Sequence, residues 1–189
     1  SGLGDIVPIY TIQGAGHTSP LVGQTVTTRG IVTVLARDGF YLQTTGDGVL
    51  ATADGLFVST NITPAVAPGD DVLVLGQVAE VKPANRADEL TVTRLLNPTV
   101  TRISAGNPLP PITVIGRSGR VPPGQIIDDD ALASFDPARD GLDFYESLEA
   151  MRVQIDAARV VGATTDDRLW VVADNGADAG PRTERGGER

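Results

Sequence analysis

The sequence predicts a mainly all-β protein: a five-stranded Greek-key barrel, then a proline-rich connection, then a second, partial β-unit with short helices. Three observations lead there. Between residues 19 and 96, five runs rich in β-branched and apolar residues are separated by glycine, proline and aspartate, which punctuate strands. The first and fourth runs are long and carry interior glycines, Gly30 and Gly76, which suit a bulge or bend at a barrel corner. From Leu148 onward the spacing of apolar residues starts to repeat.

The first run, 25–35, is rich in threonine and valine. The second, 39–43, follows the tight-turn signal Asp38-Gly39 and alternates Phe40 and Leu42 against Tyr41 and Gln43. Residues 55–59 repeat the alternation, with Leu56 and Val58 on one side and Phe57 and Ser59 on the other. Pro68-Gly69-Asp70 turns the chain into 71–81, and 89–95 closes the set. This pattern matches the OB-fold, a five-stranded barrel whose second and third strands and loops commonly bind oligonucleotides or oligosaccharides. Residues 61–67 contain Pro64 and are too short for the helix often found between the third and fourth strands. The expected barrel domain is 19–97, after a lead segment 1–18.

Asn107, Pro108, Pro110, Pro111, Pro122 and Pro123 surround a short apolar run, 112–115, and mark a connection over 98–127 with one strand laid on a barrel edge. Asp128-Asp129-Asp130 precedes 131–135 and predicts a short capped helix there. A second helix is expected at 144–151, capped by Asp143. Leu148, Val153, Val160, Val161 and 169–172 echo Leu21, Val26, Ile31, Val32 and 40–43, which predicts the opening strands of a second OB-like unit within 128–189. Residues 175–189 carry no strand signal. Either the chain stops inside that unit or residues 99–115 supply its missing strands.

The 189 residues are 41% hydrophobic, ordinary for a packed globular core. No apolar run is long enough to cross a bilayer, and Ser1-Gly2-Leu3-Gly4 reads neither as a signal peptide nor as a natural start, so a piece of a longer protein is expected. With 24 acidic against 15 basic residues the net charge is -9, which opposes strong non-specific binding to a polyanion. Lys82 is the sole lysine, so nearly all positive charge is arginine. Without cysteine, disulfides and thiolate metal sites are excluded.

The segments Ile12-Gln13-Gly14, Ser19-Pro20-Leu21-Val22-Gly23, Gly39-Phe40-Tyr41-Leu42-Gln43, Asp54-Gly55-Leu56-Phe57-Val58, Gly69-Asp70 and Val78-Ala79-Glu80-Val81 resemble the OB-like accessory domain of large secreted bacterial nucleases. Those proteins carry a C-terminal catalytic domain of the endonuclease/exonuclease/phosphatase superfamily. Phe135-Asp136-Pro137, Asp140-Gly141-Leu142-Asp143-Phe144-Tyr145-Glu146-Ser147-Leu148-Glu149, Met151-Arg152-Val153 and 183–187 resemble the stretch between the two domains. The resemblance implies extracellular localisation and, in the parent protein, phosphodiester hydrolysis with a divalent metal, Mg or Ca. It also implies two partners: DNA or RNA, and the catalytic domain of the same polypeptide. The family's catalytic pattern uses acidic residues, asparagines and a histidine pair. This chain has one histidine, His17, so no catalytic residue carries over and the piece itself is not expected to be an enzyme.

Tyr41 and Phe57 are candidate binding residues, because an aromatic pair outside the core of neighbouring strands can stack on bases at about 1–3 kcal/mol each. The competing reading makes them a minor core beneath a loop or the second unit, packed on Trp170 or Phe144. Arg29, Arg37, Arg86 and Arg94 are candidates for phosphate. Asp128, Asp129 and Asp130, or Asp136, Asp140 and Asp143, are candidate calcium ligands, since calcium collects several oxygen ligands. Neither set has EF-hand spacing, and capping or solvated turns account for most such aspartates. His17, among glycines, is expected to be exposed. Three functions remain open: a nucleic-acid-binding or positioning module of a nuclease, a protein-interaction scaffold, and an oligosaccharide-binding module.

Overall fold

The computed structural model describes residues 5–82, 89–124, 126–164 and 169–179. Five strands, β1 (Thr25–Leu35), β2 (Gly39–Gln43), β3 (Gly55–Ser59), β4 (Asp71–Val81) and β5 (Val92–Ser104), close into a barrel in the order β1-β2-β3-β5-β4. All neighbours are antiparallel except β3 and β5, which run parallel. This is the expected five-stranded Greek-key ring. Inward residues fill it at full burial: Val32, Leu42, Leu56, Val58, Val72, Val74, Val78 and Leu95.

Closure depends on where strands bend. β1 pairs with β4 over residues 25–31 and with β2 over 31–35, and Ile31 faces a partner on both sides. Gly30 lies at that switch, where a Cβ would stand 3.0 Å from the Leu42 side chain and from the Gln43 carbonyl. The β1 bulge itself falls later, between Val32 and Val34. In β4 the register shifts between Leu75 and Gln77, around Gly76, as its glycine predicts.

Asn97 and Pro98 lie in the bulged part of β5 opposite that shift, with Asn97 at φ 50°. The expected fifth strand, 89–95, stops short of Asn97-Pro98, and a proline ordinarily interrupts a ladder. A bulge tolerates it, and β5 continues to Ser104, through residues assigned to the connection. The lead segment also contributes more than its boundary suggested. Helix α1 (Ile9–Gln13) inserts Ile9 and Ile12, both fully buried, into the barrel core. The β3–β4 connection forms no helix, as expected, and the lead segment supplies apolar cover to the core instead.

The second unit is built from short pieces. Strand β6 (Thr113–Ile115) pairs in parallel with β7 (Val153–Ile155), so the apolar run of the connection supplies a strand, but to this separate pair and not to the expected barrel edge. Strands β8 (Arg159–Val160) and β9 (Val171–Val172) form an antiparallel pair. Ile115, Phe144 and Leu148 make a small separate core, edged by Met151 and Ile155.

Two helix expectations need correction. Residues 131–135 form no helix, and Ala131 and Leu132 both adopt positive φ, 58° and 63°. Asp130 still receives N–H bonds from Ala133 and Ser134, so the capping chemistry survives without a helix behind it. The other helix, α2 (Gly141–Glu146), starts earlier than expected; its N-cap is Asp140, and Asp143 lies buried within it.

Candidate functional site

The outer face of β2, β3 and β5 carries the predicted aromatic pair. Antiparallel register sets Tyr41 opposite Phe57, with ring centroids 5.0 Å apart in an edge arrangement. Parallel register sets Arg94 beside Phe57, and its guanidinium carbon lies 4.9 Å from the ring centroid. Phe57 is only 5% exposed, whereas Tyr41 is half-buried. Phe57 also reaches over Gly39, where a Cβ would meet its ring at 2.5 Å. The ring that was to receive a base is occupied by Arg94, Tyr41 and the backbone of its neighbour strand. Neither expected cover is on it: Trp170 is exposed, and Phe144 belongs to the separate small core, beneath the guanidinium of Arg120.

The same face is overlaid lower down by the chain's own residues 149–152. Gly55 of β3 meets the backbone there so closely that a Cβ would stand 2.3 Å from the Ala150 carbonyl. The Arg152 N–H donates to Gln43 Oε1 at 2.8 Å. Glu149 Oε1 accepts from the Thr93 N–H of β5 at 3.0 Å and from Gln13 Nε2 of α1 at 3.2 Å, and Gln13 Nε2 also lies 2.6 Å from the Gly55 carbonyl. Lead segment, barrel and C-terminal segment therefore meet at one polar junction.

That junction gathers carboxyl groups. Glu80 Oε1 accepts from the Ser19 N–H and the Thr93 hydroxyl, each at 2.8 Å, while its Oε2 is buried without a hydrogen-bond partner. Burial pushes the Glu146 carboxyl up to about 8, and the charges of Glu149, Glu80 and Asp143 add to the effect. Burial pushes Glu149 up to about 7, against the pull of the Gln13 hydrogen bond. None of these glutamates was singled out from the sequence. The available signal was the spacing of Glu146 and Glu149 around Leu148, which places acids next to a core position.

His17 corrects its expectation as well. Its side chain is 13% exposed, its Nε2 lies 2.9 Å from Asp143 Oδ1, and its ring meets Phe135 edge-on at 5.3 Å. It ties the lead segment to the stretch before and within α2.

The candidate arginines are engaged separately. Arg29 makes a two-pronged contact with Asp71, at 3.0 and 2.6 Å. Arg37 lines a shallow hollow with Asp38, Asn61, Ile62 and Thr63 at the hairpin end. Arg86 lies outside the described residues. Among the candidate aspartates, Asp128, Asp130 and Asp140 come together, each offering one carboxylate oxygen within 4.8 Å of the others. Asp129 is drawn away by Arg139 at 2.6 Å. Asp136 and Asp143 pair separately, the Asp136 N–H donating to Asp143 Oδ2 at 2.6 Å. Burial, and the charges of Asp129, Asp143 and Asp130, hold the Asp140 carboxyl above the ordinary carboxylate range.

Among the described residues, no helix is long and apolar enough to cross a membrane. Residues 114–189, from β6 to the end of the chain, match a family model described as a domain of unknown function, DUF8508. No curated protein and no solved structure matches the chain.

Proposed function

We propose that this chain is a non-catalytic OB-fold module of a secreted nuclease, whose task is to position a phosphodiesterase domain rather than to grip nucleic acid on its β2–β3 face. The carrying observation is the seat of residues 150–151 directly on Gly55, on the face where OB-folds commonly hold their ligands. Three further features agree. Phe57 is covered, Arg29 is committed to Asp71, and the net charge of -9 opposes a polyanion. An aromatic content of 4% also leaves little to offer a sugar.

The experiment is fluorescence anisotropy of a labelled single-stranded oligonucleotide titrated with the full chain at low and at physiological salt. Electrostatic attraction is greatest at low salt, so the expected absence of saturable binding is most telling there. Saturable binding that weakens with salt and disappears in Tyr41→Ala would replace this reading with direct substrate holding.

A further inference from the structure

We propose that Asp128, Asp130 and Asp140 form a calcium-binding site that pins the loop before α2. The proposal stands on the geometry of this loop and is independent of the nuclease reading. Oxygens held by one calcium ion at its usual 2.3–2.6 Å lie at most about 4.6–5.2 Å apart, and these three carboxylates already meet within 4.8 Å.

The second observation is Asp140 itself. It is 4% exposed, and its Oδ1 is buried with no hydrogen-bond partner, although carboxylates out of water are ordinarily paired or bound to a metal. The other two aspartates are oriented by the backbone. Asp128 Oδ1 accepts from the N–H groups of Asp130 and Leu132, and Asp130 Oδ1 and Oδ2 accept from Ala133 and Ser134. An ionised carboxylate has about four acceptor sites, so each keeps capacity for a cation. Arg139, the nearby cation, is taken by Asp129.

The loop is closed at its base, where the Gly141 and Leu142 N–H groups donate to the Ile126 and Ile127 carbonyls, each at 3.0 Å. An ion at Asp140, the N-cap of α2, would join the start of the loop to the helix that carries Phe144 into the small core. Three carboxylates on a surface loop suit the modest affinity of extracellular calcium modules, with dissociation constants of about 10⁻⁴–10⁻³ M.

The test is a titration of the full chain, stripped with EDTA, with CaCl₂ while its amide ¹H–¹⁵N correlations are followed. The expected result is saturable shifts confined to residues 126–143, lost or weakened at least about tenfold in Asp140→Asn and in Asp130→Asn but kept in Asp129→Asn. Each variant's own spectrum reports whether it is folded. Absence of saturable shifts in the wild-type chain up to about 10 mM CaCl₂, tenfold above the upper end of that affinity range, would overturn the proposal. So would shifts outside the loop, or equal shifts at the same concentration of MgCl₂.

Discussion

Gly55→Ala is expected to destabilise the chain by about 3 kcal/mol, the upper part of the usual range for overpacking. A Cβ at this position would lie 2.3 Å from both the carbonyl carbon and the oxygen of Ala150, and 2.6 Å from the Met151 nitrogen. These are backbone atoms, so no side chain can swing aside. Either β3 or the segment 149–152 has to move. The segment is held to the barrel by a few polar contacts, from Arg152 to Gln43 and from Glu149 to Thr93 and Gln13, so it is the part that lifts. Urea unfolding should show a lowered midpoint, and limited proteolysis should cut faster near 149–152. Gly16→Ala is the control, because nothing lies within 4 Å of a Cβ there. A wild-type midpoint for Gly55→Ala would mean that residues 150–151 do not rest on β3, and the positioning function would lose its main support.

The second large effect is a fall in stability as pH rises from about 5 to 8. Glu146 and Glu149 ordinarily ionise near 4.5, and in the folded chain they are raised to about 8 and about 7. The folded state therefore binds protons more tightly than the unfolded one. Their contribution is fully present below about 4.5 and is lost as pH rises through 7 to 8. Because the two groups repel each other and share a setting with Glu80, the combined loss is on the order of 3 kcal/mol. That is a sizeable part of a typical total of about 5–15 kcal/mol. Opposing groups act lower on the scale. Asp71, held below its ordinary range by Arg29, contributes stability that is lost only on acidification. Urea midpoints across this pH range should peak on the acid side, and Glu146→Gln and Glu149→Gln should each flatten the decline. In Glu149→Gln the side-chain amide would still offer an oxygen to the Thr93 N–H, so the flattening isolates charge from hydrogen bonding. Stability that is level or rising between pH 5 and 8 would show that these carboxyls are not desolvated as described.

The junction also explains what could be read early. The alternation of Phe40 and Leu42 against Tyr41 and Gln43 placed β2 and its two faces correctly, because side-chain direction in a strand has a period of two residues. Gly76 announced the β4 shift for the same local reason. The run of β5 beyond residue 95 was not legible, because a proline that ordinarily stops a flat strand is accepted here in a bulge opposite that glycine. The aspartate run suggested a capped helix at 131–135, but the side chains found their N–H partners in a turn.

By itself, the amino-acid sequence determined the five barrel strands, the β4 shift at Gly76, the absence of a β3–β4 helix and the acidic balance of the chain. Each depends on residue type or on neighbours a few positions away. The tertiary structure alone decided that Phe57 is covered, that Ile9 and Ile12 belong to the barrel core, and that Asp128, Asp130 and Asp140 are the candidate aspartates that meet. It also joined Gln13 to Glu149 across 136 positions of chain, the contact on which the polar junction turns. Such pairings are set by how the barrel closes and what folds back over it, and no local periodicity encodes which distant side chains will share a desolvated space.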